Sequence, residues 1–155
     1  MTRRMWVAVL SLLGLFIALY LTLYKVGAIG QLSCSVGSCE TVNTSRWSLL
    51  AGQPVAAWGA GLYALILVVA LAGVQDARRD APAIAWALTL LSGWGVLFSG
   101  YLTYVELFRI HAICIWCVTS ASIITIVFVL SASDLARARR TGRRSAAVHA
   151  SGQRA

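Results

Sequence analysis

The chain alternates long apolar runs with short polar breaks. Four runs hold no charged residue: Met5–Tyr24, Pro54–Val74, Ala83–Val105 and Ala112–Ser133. A helix rises ~1.5 Å per residue, so ~20 residues cross a hydrocarbon core of ~30 Å. Inside lipid the backbone must satisfy its own hydrogen bonds, which a single helix does. The pattern predicts an all-α membrane protein, a four-transmembrane-helix bundle over residues 1–136. The remainder, residues 137–155, is a basic tail without apolar periodicity and is expected to be disordered.

The breaks differ in character. Residues 25–53 form the longest, with glycines around Cys34-Ser-Val-Gly-Ser-Cys39. Thr41, Asn43, Thr44 and Ser45 are candidate caps ahead of Trp47-Ser-Leu-Leu50. That arrangement predicts a short interfacial helix in this loop, Trp and Leu facing the lipid and Arg46 reaching out, placed to lid the bundle. Pro54 fits the first helical position of the second span. Gly59, Gly61, Gly93 and Gly95 suit close helix approach. Trp58 and Tyr63 are the bulky exceptions in the second span; either is placed to touch a ligand, while packing or lipid contact is the commoner role of a lone aromatic. Glu106 and Arg109 sit three apart in the last short turn and are expected to pair. His111, three residues before Cys114, is a candidate proton relay.

Composition agrees with a membrane protein, at 59% hydrophobic and 12% charged. The formal net charge of +8 invites a nucleic-acid reading. Position argues against it. Ten of the 13 basic residues are Arg3, Arg4, Arg78, Arg79 and the tail from Arg137. Four spans put all of these on one side, which the positive-inside rule makes cytoplasmic. No aromatic platform or DNA-binding motif accompanies them, so no nucleic-acid partner is expected; attraction to membrane lipid is. The first run is longer than a signal-peptide core, and a retained first helix keeps the basic segments together. The expected location is the plasma (inner) membrane, with both termini cytoplasmic.

All four cysteines then fall on the extracytoplasmic side. Cys34 and Cys39 are in the first outer loop, Cys114 and Cys117 at the outer end of the last span. That compartment permits disulfides, and four cysteines allow three connectivities. Residues three apart on a helix share a face, so the sulfurs of Cys114-Ile-Trp-Cys117 can meet. A thiol near a helix N-terminus is biased toward thiolate. A zinc site is the competing use of four cysteines, but one pair lies within a membrane helix, and no metal is expected. A static disulfide set is another, yet a bridge between residues three apart closes too small a loop to staple much. A relay fits better: a flexible outer pair meets soluble thiols, and an embedded pair meets a lipid-soluble carrier. The alternative is a non-catalytic membrane protein with structural disulfides or zinc.

These residues resemble the vitamin K epoxide reductase family, in its bacterial branch. The resemblance rests on Cys34 and Cys39, the run Cys39-Glu-Thr-Val-Asn-Thr-Ser45-Arg-Trp47, Gly52-Gln-Pro-Val55, and Cys114-Ile-Trp-Cys117, in that order. It implies a catalytic set of Cys34, Cys39, Cys114 and Cys117. Cys117 looks like the cysteine that faces a quinone, Cys114 its partner and the one that exchanges with Cys39. Cys34 looks like the outer thiol that takes electrons from a thioredoxin-fold protein. Ser45 matches the family serine near the quinone pocket, and Asn43 and Trp58 are further candidate contacts. Ala121 stands where animal members carry tyrosine, which points to quinone (menaquinone or ubiquinone) as acceptor. No thioredoxin-like domain follows the last span, so the expected partner is a separate protein. The resemblance thus implies a quinone-dependent thiol–disulfide oxidoreductase supporting disulfide formation in exported proteins.

Overall fold

The computed structural model describes residues 3–34, 37–75 and 82–152. Four helices are long and apolar enough to span a membrane. They are α1 (Arg3–Lys25), α3 (Val55–Ala72), α4 (Pro82–Val105) and α5 (Ile115–Gly152). Each apolar run of the sequence became one of them, with ends shifted by a few residues except at the far end of α5. The basic turn expected at 75–82 falls largely outside the described residues. α5 continues as helix to Gly152, through sequence rich in Ala and Arg, both strong helix formers.

The four helices close a ring: α1 packs on α3 and α5, and α4 on α3 and α5. Buried Val7, Ile66, Leu88 and Val127, one from each helix, fill its centre. Lipid supplies no hydrophobic drive between helices, so shape decides their association. Two small residues set the closest approaches. A β-carbon on Gly14 would run into the Tyr63 ring, and one on Gly95 would sit 2.7 Å from Ile124. α1 is therefore an integral wall of the core.

One end of the ring is tied by arginine. Arg4 Nε donates to Asp134 Oδ2 at 2.9 Å, and Arg4 Nη1 donates to the Gly73 carbonyl at 3.0 Å. Arg3 Nη1 donates to Ser133 Oγ at 2.6 Å. These bonds join the ends of α1, α3 and α5.

The opposite end carries the loop between α1 and α3, and here the expected element is redrawn. The loop holds a short helix, α2, over Cys39–Thr44, then a 3-10 turn at Arg46–Ser48. Next comes a two-residue hairpin, β1 (Leu49–Leu50) against β2 (Gln53–Pro54). The helix takes in Thr41, Asn43 and Thr44 of the polar cluster and ends at Ser45, instead of following the cluster. Thr44 Oγ1 donates to the Glu40 carbonyl at 2.8 Å and Ser45 Oγ to the Val42 carbonyl at 2.8 Å. These side chains bond backward and close α2, where N-capping of a following helix was expected. Pro54 has ψ 132 and so precedes α3 instead of opening it. The hairpin turns through Ala51 and Gly52, at φ 53 and 78, the left-handed pair that a two-residue hairpin requires.

Candidate active site

The site begins with how α4 ends. Its last turn passes into a five-residue π-helical segment, Glu106–Ile110, closed by His111 at φ 56. A π turn adds a residue per turn and re-aims what it carries; such turns are frequent at functional sites. Here it swings Glu106 inward, to 5% exposure. Arg109 and His111 remain exposed. Glu106 and Arg109 therefore do not pair among the described residues. Glu106 Oε2 instead accepts the Cys114 backbone N–H at 3.3 Å.

Cys114 is fully buried and immediately precedes α5. Its carbonyl accepts the first helical bond, from Val118 N–H at 3.1 Å, so Cys114 occupies the N-cap position. An N-cap side chain accepts from the second and third helical N–H groups. The Cys114 sulfur does this with the N–H groups of Trp116 and Cys117. The Cys114 thiol is held down at about 7, against an ordinary 9.0. The hydrogen bond from the Cys117 thiol contributes most; burial opposes it, the two backbone N–H groups assist, and the Glu106 charge opposes. Depressed thiols of this kind mark exchange-competent C-x-x-C pairs. The helix starts later than the apolar run suggested, and the capping position comes from that shift.

The outer loop is fastened onto this cysteine. Gly37 forms an antiparallel bridge with Cys114, and Ser38 N–H donates to the Ile113 carbonyl at 3.0 Å. Gly37 has φ 93, a conformation open to glycine, and a β-carbon there would run into the Ile113 carbonyl. On the other side of the loop, Trp116 Nε1 donates to the Ser33 carbonyl at 2.9 Å. Ser33 N–H donates to Tyr20 Oη at 3.0 Å, and Tyr20 meets Trp116 edge-on, centroids 5.4 Å apart.

Cys34 and Cys39 are joined as a disulfide, while Cys114 and Cys117 are free thiols. Cys39 and Cys114, at 1% and 0% exposure, belong to one buried cluster, with Cys34 and Cys117 at its edge. Asn43 holds the two halves together. Its Nδ2 donates to the Cys39 carbonyl at 2.9 Å and lies 4.0 Å from Cys114 Sγ. With two sulfurs bonded to each other, four thiolates are not available to one metal. No group of three or more His, Cys, Asp or Glu is placed to hold one among the described residues.

Beneath the cysteines lies a cavity of about 130 Å³ between α1, α3, α4 and α5, roofed by α2 and the 3-10 turn. That is close to the ~150 Å³ apolar void known to take up a benzene ring. Its walls are mostly apolar, including Leu21, Val55, Leu62, Phe98 and Leu102, with Cys117 and Glu106 on one side. Asn43 and Ser45 line it, as do Lys25, Trp47 and Tyr63. Lys25 Nζ donates to the Asn43 carbonyl at 2.6 Å. Tyr63 Oη donates to the Ser120 carbonyl at 2.8 Å.

Trp58 does not reach the cavity. The lining positions of α3 are Val55, Ala56, Gly59, Leu62 and Tyr63, one helical face, and Trp58 falls about a quarter turn away from it. Trp58 is 53% exposed and its Nε1 donates to the Leu50 carbonyl at 3.3 Å. From the sequence Glu106 was read only as a partner for Arg109, and neither Gly37 nor Lys25 was given a role at the site. The signal for Glu106 was present: a carboxylate at the end of an uncharged span is a functional candidate by default.

An oxidised pair docked on a reduced pair, within a bundle of spanning helices, defines a membrane thiol–disulfide oxidoreductase. The family model described as the Vitamin K epoxide reductase family matches residues 5–132, and the chain belongs to that family. The match covers all four spans and both cysteine pairs. The family is linked to quinones in general, and the apolar cavity against Cys117 has the size and chemistry for a quinone ring.

Proposed function

We propose that this protein carries electrons from a thioredoxin-fold dithiol protein to a membrane quinone and so supports disulfide formation in exported proteins. One observation carries the reading. The docked loop buries Cys39 against Cys114, while Cys117 stands on the wall of the cavity. On this reading the loop pair is the entry, Cys39 against Cys114 the contact between pairs, and Cys117 the exit.

The chemistry follows by thiol–disulfide exchange. The partner's dithiol reduces the Cys34–Cys39 disulfide and leaves as a disulfide. The Cys39 thiolate attacks an oxidised Cys114–Cys117 pair at Cys114, releasing Cys117 as thiolate. Cys34 then attacks Cys39, re-forming the loop disulfide and releasing Cys114. Loop disulfide with free Cys114 and Cys117 is the state described above, ready to pass two electrons onward. The N-cap bonds at Cys114 make it the better leaving group of the last step. A bound quinone supplies the two-electron sink. Asn43 and Ser45 line its space from above. On this reading both termini are cytoplasmic and the cysteines lie outside a plasma membrane, an orientation supported by the positive-inside rule and the basic residues toward the Arg4 end.

The test is turnover by purified protein in detergent: reduced dithiol protein in, quinol out, beside Cys117→Ser. Quinol that forms with wild type and is lost with the variant supports the reading. No quinol with menaquinone or ubiquinone analogues refutes it.

A further inference from the structure

A quinone reduced to quinol gains two protons as well as two electrons, and the cavity wall holds one buried carboxylate. Glu106 is 5% exposed, accepts the Cys114 N–H at 3.3 Å, and lies within hydrogen-bonding reach of the Cys117 thiol. It also lines the cavity beside Cys117. A carboxylate in such a place must be partnered, because burying an isolated charge is costly. Its partners here are the two reacting cysteines. The alternative of a surface ion pair with Arg109 is closed off by the π turn.

We infer that Glu106 is a catalytic proton acceptor: it takes the Cys117 proton as the Cys114–Cys117 pair is oxidised and passes it to the acceptor in the cavity. The inference rests on the quinone reading of that cavity. The balance is as follows. Cys114 enters as thiolate and Cys117 as thiol. A sulfur–sulfur bond forms between them, and two electrons leave for the quinone. The Cys117 proton moves to Glu106 and from there to one quinone oxygen; the second proton of the quinol is drawn from solvent. Glu106 returns to carboxylate, and the π turn and the Cys114 N–H keep it aimed at Cys117.

Other titratable groups near Glu106 are few. Lys25 from α1, Tyr63 from α3 and Cys117 from α5 share the cavity wall, and Cys114 lies beside them. Tyr63 is engaged by Ser120 and Lys25 by the Asn43 carbonyl. Glu40 on α2 is exposed and shares a hydrogen bond with Tyr24. Arg109, in the same turn as Glu106, is exposed.

The experiment compares wild type, Glu106→Gln and Glu106→Asp with two readouts. The first uses no quinone: a redox-difference infrared spectrum of the whole protein as the Cys114–Cys117 pair is cycled by a small dithiol and its disulfide. A carboxyl band that changes with the pair and is missing in Glu106→Gln is expected. The second is single-turnover oxidation of the reduced protein by a short-chain quinone. Glu106→Gln slows this by ~10²-fold, the size of a lost general base. Both proteins lose rate on the acid side as the Cys114 thiolate protonates; wild type shows a further fall as Glu106 protonates, which Glu106→Gln lacks, and Glu106→Asp recovers part of the rate. Reduction of the Cys34–Cys39 disulfide by small dithiol stays at the wild-type rate.

A Glu106→Gln protein oxidised as fast as wild type overturns the inference. So does a loss of both steps together with the melting temperature that Glu106→Asp fails to restore, which marks a structural role. If wild type itself yields no quinol, the quinone reading fails. The infrared arm still decides for the cysteines: a carboxyl band indifferent to their redox state overturns the proton role.

Discussion

Replacing Gly37 by alanine tests how the loop delivers electrons. The added β-carbon meets the Ile113 carbonyl, and the residue must leave φ 93 or displace that backbone. Holding a non-glycine residue at such an angle costs about 1–2 kcal/mol. Breaking the Ser38–Ile113 hydrogen bond costs a further ~0.5–1.5 kcal/mol. A combined shift of about 1.5–3.5 kcal/mol moves the docking equilibrium roughly 10- to 400-fold toward the undocked loop. The assay is rapid-quench transfer: a reduced loop pair against an oxidised Cys114–Cys117 pair, followed by thiol alkylation and mass spectrometry. Transfer falls at least tenfold. Oxidation of the reduced Cys114–Cys117 pair by quinone does not change, because that step does not use the bridge. Gly27→Ala is the control: φ is 80 there, but nothing lies within 4 Å of the added carbon. It carries the backbone cost without the collision, and transfer stays near wild type. Equal transfer rates for Gly37→Ala and wild type would refute the docking argument.

Three further outcomes follow from the same geometry. In reduced protein, thiolate absorbance of Cys114 titrates with a midpoint of about 7; replacing Cys117 by alanine removes the largest cause and moves the midpoint up toward 9.0. The sign is that of a depressed acid, so Cys114 reactivity is full above the midpoint and falls about tenfold per pH unit below it. Gly14→Val pushes the Tyr63 ring toward the cavity it lines, which raises KM for quinone more than it lowers kcat in steady-state assays. Ala51→Gly relieves a non-glycine residue at φ 53 in the hairpin and stabilises the fold by about 1 kcal/mol, read as a higher melting temperature in detergent.

Most of the architecture was legible because lipid imposes so simple a code. An uncharged run of about 20 residues has one stable form in a bilayer, and four such runs became four helices. The cysteines were legible as chemistry, since sulfur at the end of a span has few uses. What escaped was set by tertiary contact. Gly37 lies in an ordinary loop until Ile113 and Cys114, more than 70 positions away, come to meet it. Glu106 and Arg109 have the spacing of a helical pair, and only a π turn separates them. Trp58 and Tyr63 are both large aromatics on a helix of small residues; which one faces inward depends on Gly14 across the bundle. Ser45 and the threonine before it are ambiguous caps, able to close the helix behind as well as to open one ahead.

The central claim is that the two cysteine pairs form one relay joined through Cys39 and Cys114. Its most direct test is the mixed disulfide trapped in a Cys34→Ser, Cys117→Ser protein, which removes both resolving thiols. Peptide mapping by mass spectrometry is expected to find Cys39 bonded to Cys114. Two free thiols under oxidising exchange, or cross-linking only between separate molecules, would contradict the relay.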